Sequence, residues 1–369
     1  METYDIDIGA CRGRQRRLIE VMQNVGLEVV IVTQVEHVQW LAGPRYDWLF
    51  QPIAALTCEG VLYLVCPQKP PETAAADELI PYQAKWHSTL RNDQRHESSR
   101  VLIQHLKNIT RGRRLGVEFS SFGQHLLGLG ASEYLDVEPH LYQLRRRKDA
   151  DELARLRKAI SGTAAMYDAA REMIQPGVNE LDVFQQLQGA AVAEFGEMLT
   201  GTGNDYQCGS RGGPPRSRLA RADELYILDL GPAFRGYFAD NARTFSVSGE
   251  PSQEQSKAWT RCCEVFAIVE DRVKPGVSAR ALFDEVQQFL DQAPLGVFNH
   301  HLGHGIGLFP HEAPHLNPHW DDYFELGDVF TVEPGLYAPE LHVGMRVEND
   351  YLVVERGVEL LSQIPLELC

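Results

Sequence analysis

Four carboxylates and one imidazole in the second half of the chain have the chemistry of a divalent metal site. Carboxylate oxygens and an imidazole nitrogen are ligands that suit divalent cations. Each of these side chains lies in a segment that reads as a strand or as a glycine-bounded loop. The five residues are Asp229, Asp240, His304, Glu333 and Glu348. Their types and order predict a hydrolytic site that holds two metal ions.

The first two carboxylates are expected to face each other across a hairpin. The segments YILDL and YFADNARTF flank GPAFRG, a turn-prone stretch with glycine at both ends. A hairpin centred between Phe234 and Arg235 places Asp229 opposite Asp240, with β-carbons about 5 Å apart. Carboxylates this close repel each other unless a cation lies between them. Taken alone, the pair could equally belong to a solvated hairpin face.

The two glutamates lie at strand-like segments. Glu333 follows VFTV, a run typical of a buried strand, which Pro334 and Gly335 then end. A charge at the end of a buried strand needs a paired charge or a metal. Glu348 interrupts MRVENDYLVV, where a single solvated glutamate on an edge strand is the alternative.

Histidines are concentrated in one short segment. Six of the thirteen lie between residues 300 and 319, and imidazole ligates metals and titrates near neutral pH. His311 and His315 match HExxH, a zinc pattern that works only on a helix. Pro314 inside the pattern excludes a regular helix, so we reject this zinc site. His304 lies between glycines that let the backbone approach a metal closely, and we predict it as the single imidazole ligand.

Four segments of the second half together resemble the pita-bread metallopeptidases, which include prolidase, aminopeptidase P, methionine aminopeptidase and the metal-free creatinase. All five predicted ligands match the family's ligands in identity and order. The resemblance covers roughly residues 150–360 strongly and residues 10–145 weakly. The segments are LDLGPAFRGYFADNARTFSV, HHLGHGIGLFPHEAP, GDVFTVEPGLYAPE and GMRVENDYLVV.

The resemblance implies a fold, a reaction and a cofactor. It implies an α/β N-terminal domain (residues 1–147) followed by an α+β pita-bread, creatinase/aminopeptidase-like domain with a curved antiparallel sheet (residues 148–369). The implied activity is that of a prolidase-like or aminopeptidase-P-like Xaa-Pro peptidase, which hydrolyses the bond before proline in a small peptide. The implied cofactors are two divalent ions (Mn, Co or Zn), with a hydroxide bridging them.

Within that metal site, Asp240 and Glu348 are expected to bridge the two cations, and Asp229 to chelate the second one. The bridging hydroxide would attack the carbonyl carbon of the scissile bond. Glu333, at the edge of the metal pair, is the candidate to carry a proton to the leaving nitrogen.

Three further residues are predicted to act on the substrate. By resemblance, His300 and His311 match family histidines that stabilise the oxyanion and contact the substrate. Arg346 lies two residues before Glu348, on the same strand face, and could orient a carboxylate. The other histidines of the segment (His301, His315 and His319) match no family role, and we interpret them as solvated or locally hydrogen-bonded.

Two features depart from the family's pattern. A histidine usually lies seventeen residues before the first aspartate, and Gly212 occupies that position here; Cys208 and Tyr206 are candidates to replace it. In addition, no Lys or Arg occurs between Arg280 and Arg346, where prolidases tend to place an arginine. Either the Xaa-Pro specificity is altered, or the clamp for a substrate carboxylate comes from elsewhere.

These departures keep three hypotheses open. The first is the two-metal Xaa-Pro peptidase. The second is a hydrolase or lyase of the same fold that acts on a non-peptide small molecule. The third is a non-enzymatic binding protein, against which the intact ligand set argues.

Composition bounds the class of protein. A chain of 369 residues with 44% hydrophobic and 23% charged residues predicts two globular domains. The net charge of −16 argues against a nucleic-acid or anionic-membrane partner. Seven cysteines without a CxxC, and an N-terminus without an apolar core, predict reduced thiols in a cytoplasmic protein. No apolar run reaches the length of a membrane span.

Two patterns bear on symmetry and assembly. IQPGVNELDVFQQLQ (174–188) and VKPGVSARALFDEVQ (273–287) share Pro-Gly-Val and a helix cap, Asn179 or Ser278. They indicate an internal repeat or shared helix-boundary chemistry, and the resemblance favours the repeat. The family also implies a homodimer, for which Trp40 and Trp48 are interface-type residues; one core and one solvent-facing tryptophan of a single domain is the alternative.

Overall fold

The protein is seen here in a computed structural model, which describes residues 4–84, 89–203 and 205–368. The chain divides into two compact units, Met1–Arg145 and Arg146–Cys369. The sequence predicts domains of residues 1–147 and 148–369. These bounds differ slightly from those of the two units and stay a prediction. Among the helices of the described ranges, none has the length and apolarity that a membrane crossing requires.

The first unit is built on a mixed six-stranded sheet with the strand order β4-β3-β2-β1-β5-β6. Helices alternate with the strands, so its class is α/β. The elements up to residue 146 are α1 (Ile8–Val25), β1 (Val29–Val32), α2 (Val35–Ala42), β2 (Ile53–Thr57), β3 (Leu62–Pro67), β4 (Glu78–Tyr82), α3 (Arg91–Thr110), β5 (Arg114–Val117), a 3₁₀ helix (Gln124–Leu129), β6 (Glu133–Asp136) and α4 (Glu138–Arg146).

Several local features of this unit can be read directly from its residues. Helix α1 ends at Gly26, which takes the left-handed conformation (φ 71°) that glycine favours. Strands β2 and β3 form an antiparallel pair. Trp40 is fully buried, whereas Trp48 is 71% exposed. The homodimer itself stays a prediction.

The second unit consists of long helices and antiparallel strands. Its elements are α5 (Ala150–Met173), α6 (Glu180–Phe195), β7 (Leu225–Leu230), β8 (Ala233–Phe234), β9 (Tyr237–Phe238), β10 (Asn241–Ser246), α7 (Gln253–Arg272), α8 (Ala279–Leu290), β11 (Gly303–Gly305), β12 (Glu312–Leu316), β13 (Val329–Val332), β14 (Gly335–Leu336), a 3₁₀ helix (Pro339–Leu341), β15 (Met345–Arg346), β16 (Asn349–Val354) and β17 (Gly357–Leu360).

The antiparallel strands of this unit form two main groups. One is the pair β10-β7, and the other is a five-stranded sheet with the order β12-β11-β13-β16-β17. Hydrogen bonds join the two groups next to the predicted ligands. The Glu348 amide donates to the carbonyl of Ala242 at 2.9 Å. The Thr244 hydroxyl also donates to the carbonyl of Arg346 at 2.9 Å.

The two repeated segments occupy equivalent places in the fold. Asn179 and Ser278 cap α6 and α8, and the side chain of each accepts a hydrogen bond from a first-turn amide. Each cap also forms an isolated β-bridge with a later segment, Asn179 with Leu219 and Ser278 with Tyr323. The backbone of Gly276 bonds to Phe324 as that of Gly177 bonds to Ala220, each at 2.8 Å. The shared contacts favour an internal repeat over coincidence.

Backbone packing leaves no room for a side chain at Gly305, the residue after His304. A Cβ at Gly305 would lie 2.0 Å from the carbonyl oxygen of Ala313 in strand β12. Because that oxygen belongs to the backbone, it cannot yield as a flexible side chain would. The glycines that flank His304 therefore let β11 pack at close range against the neighbouring strands β12 and β13.

Gly305→Ala is expected to destabilise the fold by on the order of 1–3 kcal/mol, the cost typical of overpacking. Urea denaturation followed by circular dichroism measures this change. The matched control is Gly189→Ala in α6, where nothing lies within 4 Å of an added Cβ and a gain of up to about 1 kcal/mol is expected. Wild-type stability of Gly305→Ala would contradict the tight packing.

Candidate metal centre

Strands β7 and β10 place the two aspartates, but in a different register from the predicted one. Asp229 pairs with Ala242, not with Asp240. The predicted hairpin centre is wrong by one residue, because the turn lies at Arg235 and Gly236, whose φ angles are 48° and 92°. Two-residue turns of type I′ require positive φ at both positions. Ligand oxygens of Asp229, Asp240 and Glu348 still lie within 4.8 Å of one another.

Glu348 lies between β15 and β16, where three hydrogen bonds fix its backbone. Its amide donates to Ala242, and its carbonyl accepts from Asn241 Nδ2 and from Arg243 Nη1, each at 2.5 Å. The residue is 1% exposed. The alternative of a solvated glutamate on an edge strand is therefore wrong.

His304 and Glu333 come from neighbouring strands of the five-stranded sheet. Glu333 follows the fully buried strand β13, as predicted. His304 Nδ1 lies 3.0 Å from the carbonyl of Gly305, to which it can donate, so that Nε2 is left for a ligand. That Nε2 atom lies 3.6 Å from Asp240 Oδ2 and 3.8 Å from Glu333 Oε1.

The five predicted ligands line one cavity of about 400 Å³. Burial, together with the charges of the other carboxylates, raises the pKa values of Asp240 and Glu348 well above their ordinary values. Glu348 Oε2 is buried and has no hydrogen-bond partner among the described residues. Clustered, desolvated carboxylates with a free acceptor are the donor set that divalent cations satisfy. The residues therefore fit a metal pair, although their individual ligand roles stay predictions.

His301 is a member of the site that sequence reasoning missed. Its Nε2 lies 2.6 Å from Glu333 Oε1, and this hydrogen bond raises the pKa of His301. Burial opposes ionisation of Glu333, but the bond from His301 and the nearby imidazoles hold the Glu333 pKa below its ordinary value. The expected solvated or locally bonded role of His301 is wrong. Residues 299–302 belong to no helix or strand, so no periodic signal indicated which way this side chain points.

The two histidines predicted to act on the substrate occupy different surroundings. His311 lines the cavity, and its ring stacks on His304 with centroids 3.8 Å apart. His300 Nδ1 can donate to the carbonyl of His301 at 2.8 Å, so that its Nε2 accepts from the Tyr337 hydroxyl at 3.0 Å. Burial lowers the pKa of His300 to about 4. Residues 312–316 form a strand, which agrees with the rejection of a helical HExxH site.

Arg346 binds two aspartates within the protein. Its Nη2 donates to Asp205 Oδ2 at 2.5 Å and to Asp229 Oδ2 at 2.7 Å. Its guanidinium therefore orients a predicted metal ligand, a role that the sequence left unspecified. The partner Asp205 was not predicted, because it lies in an irregular loop far from Arg346 in the sequence.

Gly212 is held against the carboxylate of Asp205. A Cβ at Gly212 would lie 2.3 Å from Asp205 Oδ2, so a histidine here would displace the partner of Arg346. Cys208 and Tyr206 do not replace the family's histidine. Both are buried; Cys208 Sγ bonds to Glu224 at 3.4 Å, and the Tyr206 hydroxyl lies 2.9 Å from that of Thr202.

We expect Asp240 to make the stability of the metal-free protein fall as pH rises. Its raised pKa means that the folded state binds the proton more tightly than the unfolded state. The stabilisation is present below the ordinary carboxyl pKa of 3.8 and is lost as pH rises through the raised value. Asp240→Asn should therefore stabilise the protein in EDTA more at pH 8 than at pH 5, by about 1 kcal/mol or more in urea denaturation.

The wild type and Asp240→Asn also test whether Asp240 takes part in metal binding. Mn(II) should raise the melting temperature of the wild type, because a ligand that binds only the folded state stabilises it, and should leave that of Asp240→Asn nearly unchanged. Asp284→Asn, a change at an exposed carboxylate of α8, is the control and should respond as the wild type does. An Asp240→Asn protein with wild-type pH dependence and Mn(II) response would contradict the assignment.

Comparisons with known proteins agree with this geometry. The sequence matches metallopeptidase family M24 over residues 154–355 and the creatinase/prolidase N-terminal domain over residues 14–146. An uncharacterized peptidase of Staphylococcus aureus (strain MW2) is 29% identical over 245 residues, which are 65% of this chain and 69% of the relative.

Solved structures share the fold over nearly the whole chain. The prolidase from Pyrococcus furiosus has a TM-score of 0.78 at 20% identity, covering 94% of this chain and 99% of its own. The Xaa-Pro dipeptidase from Bacillus anthracis has a TM-score of 0.80 at 22% identity, covering 97% and 99%. The proline aminopeptidase P II from Yersinia pestis has 0.80 at 17%, covering 97% and 96%. The predicted fold class is confirmed, and the chain belongs to metallopeptidase family M24.

Proposed function

We propose that this metallopeptidase is an Xaa-Pro peptidase that uses two divalent cations. The observation that carries the proposal is the convergence of all five predicted ligands on one cavity of about 400 Å³. The proline preference rests on the fold shared with prolidases, an Xaa-Pro dipeptidase and an aminopeptidase P.

The donors divide into two groups that suit a pair of cations. Asp229, Asp240 and Glu348 form one group, and His304 and Glu333 belong to another that includes His301, each with ligand atoms within 4.8 Å. Asp240 also lies within reach of His304, so it can serve both. When bound, divalent cations at such a site polarise a carbonyl and lower the pKa of water.

Glu333 is the residue suited to moving a proton. The hydrogen bond from His301 keeps its pKa low, so that it is a carboxylate at neutral pH and can accept a proton from water. The same carboxyl can then deliver that proton to the leaving nitrogen. His301 positions Glu333 for both steps, because its Nε2 is only 2.6 Å from Glu333 Oε1.

His311 is placed to stabilise negative charge on the substrate. Burial lowers its pKa, so the imidazole is neutral at pH 7 and its N–H can donate to a developing oxyanion. His300 instead contacts Tyr337, whose hydroxyl donates to His300 Nε2 at 3.0 Å. We therefore assign His311 to direct contact with the substrate and His300 to the placement of Tyr337.

A non-peptide substrate is the second candidate, and Gly212 favours it. The family's histidine is replaced by a glycine whose Cβ position is occupied by Asp205. One donor to the substrate is therefore missing, and removal of such a donor typically costs on the order of 10²–10³ in turnover. A site that lacks it can have moved to another substrate.

Hydrolysis of Ala-Pro and Ala-Pro-Ala in the presence of Mn(II), Co(II) or Zn(II) tests the proposal. We expect cleavage before proline, about two ions per chain by elemental analysis, and loss of both ions and activity in Asp240→Ala. Full metal content in Asp240→Ala would contradict its bridging role. Absence of cleavage with every metal would favour the second candidate.

His301→Ala is expected to lower kcat/KM about 10–100-fold, the cost typical of losing a group that orients a metal ligand. Because the variant lacks the bond that lowers the Glu333 pKa, the acid limb of its pH–rate profile should move to higher pH. The matched control is His319→Ala, at an exposed loop histidine, which should leave rate and profile unchanged. An unshifted acid limb in His301→Ala would contradict the proposed pairing.

A further inference from the structure

A small cavity of about 60 Å³ lies in the first unit, lined by residues that follow β1 (Thr33 and Gln34) and β5 (Ser121). These two strands are parallel neighbours. From β1 the chain passes through β2 and β3 to β4 on one side, and α3 returns it to β5 on the other side. In α/β sheets, ligands bind outside the carboxyl ends of the strands where the connections diverge in this way.

Two arginines of α3 supply the positive charge of this cavity. Arg91 and Arg95 line it from successive turns, so their side chains lie on the same face of the helix. Arg91 is exposed and Arg95 is half-buried. Within the parts of the chain that the structure describes, neither guanidinium has a hydrogen-bond or ion-pair partner. Their charges are therefore free for a ligand, and guanidinium groups suit the oxygens of phosphate.

The floor of the cavity, formed by Thr33 and Ser121, is built on the buried carboxylate of Glu118. Thr33 Oγ1 and Ser121 Oγ donate to Glu118 Oε2 at 2.9 and 2.7 Å. His37 Nδ1 lies 2.6 Å from Glu118 Oε1. Burial opposes ionisation of Glu118, but the bonds from His37, Thr33 and Ser121 hold its pKa below the ordinary value. Since each hydroxyl has one hydrogen and gives it to this carboxylate, both offer only acceptor lone pairs to a ligand.

Gln51 adds another acceptor to the lining. Its side chain is buried, and its Nε2 donates to the carbonyls of Thr33 at 2.6 Å and Pro52 at 3.3 Å. These bonds fix the orientation of the amide, so its Oε1 is the remaining polar atom, and no described residue donates to it. A buried acceptor without a donor costs free energy, which a hydroxyl of a ligand would remove. The cavity thus combines two cations with acceptors that need a donor.

We propose that this cavity binds inorganic phosphate. One bound water needs roughly 10–15 Å³ of such space, so the cavity of about 60 Å³ has room for a group of about five heavy atoms. The two guanidinium groups match the negative oxygens of phosphate. The proton that phosphate keeps at neutral pH can be donated to the floor or to Gln51 Oε1. Sulfate carries no such proton, and a phosphate monoester loses its own at about pH 6.

Calorimetric titration of the metal-free protein with inorganic phosphate, after removal of the chelator, tests the proposal. We expect the wild type to bind phosphate saturably and about 3–10-fold more tightly than sulfate or methyl phosphate at neutral pH, the range of one neutral hydrogen bond. The double variant Arg91→Met/Arg95→Met should bind phosphate about 10–100-fold more weakly, because charge-assisted bonds are lost. Arg95→Lys should keep part of the affinity.

Arg16→Met is the matched control, since Arg16 is an exposed arginine of α1. It should keep the wild-type affinity for phosphate. The melting temperature without phosphate should be the same for the wild type and the double variant, which shows that a loss of binding is not a loss of folding.

Two results would overturn the site: no saturable binding by the wild type at millimolar phosphate, or an unchanged affinity in the double variant. Equal or tighter binding of sulfate or methyl phosphate by the wild type would overturn the assignment to inorganic phosphate. The titration uses neither a peptide nor a metal ion, so its outcome is independent of the proposed Xaa-Pro activity.

Discussion

Repulsion among buried carboxylates is the constraint on which the metal centre depends. Asp229, Asp240, Glu333 and Glu348 line one cavity, and negative charges at such distances cost several kcal/mol unless they are compensated. The protein compensates part of this charge itself. Arg346 binds Asp229 and His301 binds Glu333. Asp240 and Glu348 keep raised pKa values, which places the remaining demand for positive charge between them.

The fold holds these carboxylates together by fixing the backbone segments that carry them. Buried Arg243 donates to the carbonyls of Ala242, Glu348 and Ile364 and to Asn349 Oδ1. One guanidinium thereby ties β10 to the segment that carries Glu348. The close packing of β11 against β12 at Gly305 likewise fixes the backbone at His304. Because the backbone that carries Glu348 and His304 is fixed in this way, the repelling side chains are held close to one another.

The features predictable from the sequence are those encoded by neighbours in the chain. The caps Asn179 and Ser278 and the end of α1 at Gly26 follow from local chemistry. The ligand set followed from residue types and from the family's order. The hairpin register could not be predicted in this way, because GPAFRG allows turns centred one residue apart. The turn that forms needs a positive φ at Arg235, and an arginine gives no sequence signal for that conformation. The contacts of His301 and Asp205 also escaped, because both lie in irregular loops without periodicity.

The predicted metal ligands are divided between the two copies of the segment whose shared contacts favour an internal repeat. Asp229 and Asp240 follow the first repeated segment (174–188), whereas His304, Glu333 and Glu348 follow the second (273–287). The copies are alike in their caps and bridges but unlike in the donors they contribute. Neither group alone supplies all five predicted ligands, so the proposed metal site forms only where the two groups meet. A change that loosens the packing of one group of ligands against the other is therefore expected to weaken metal binding at the proposed site, even when every ligand is intact.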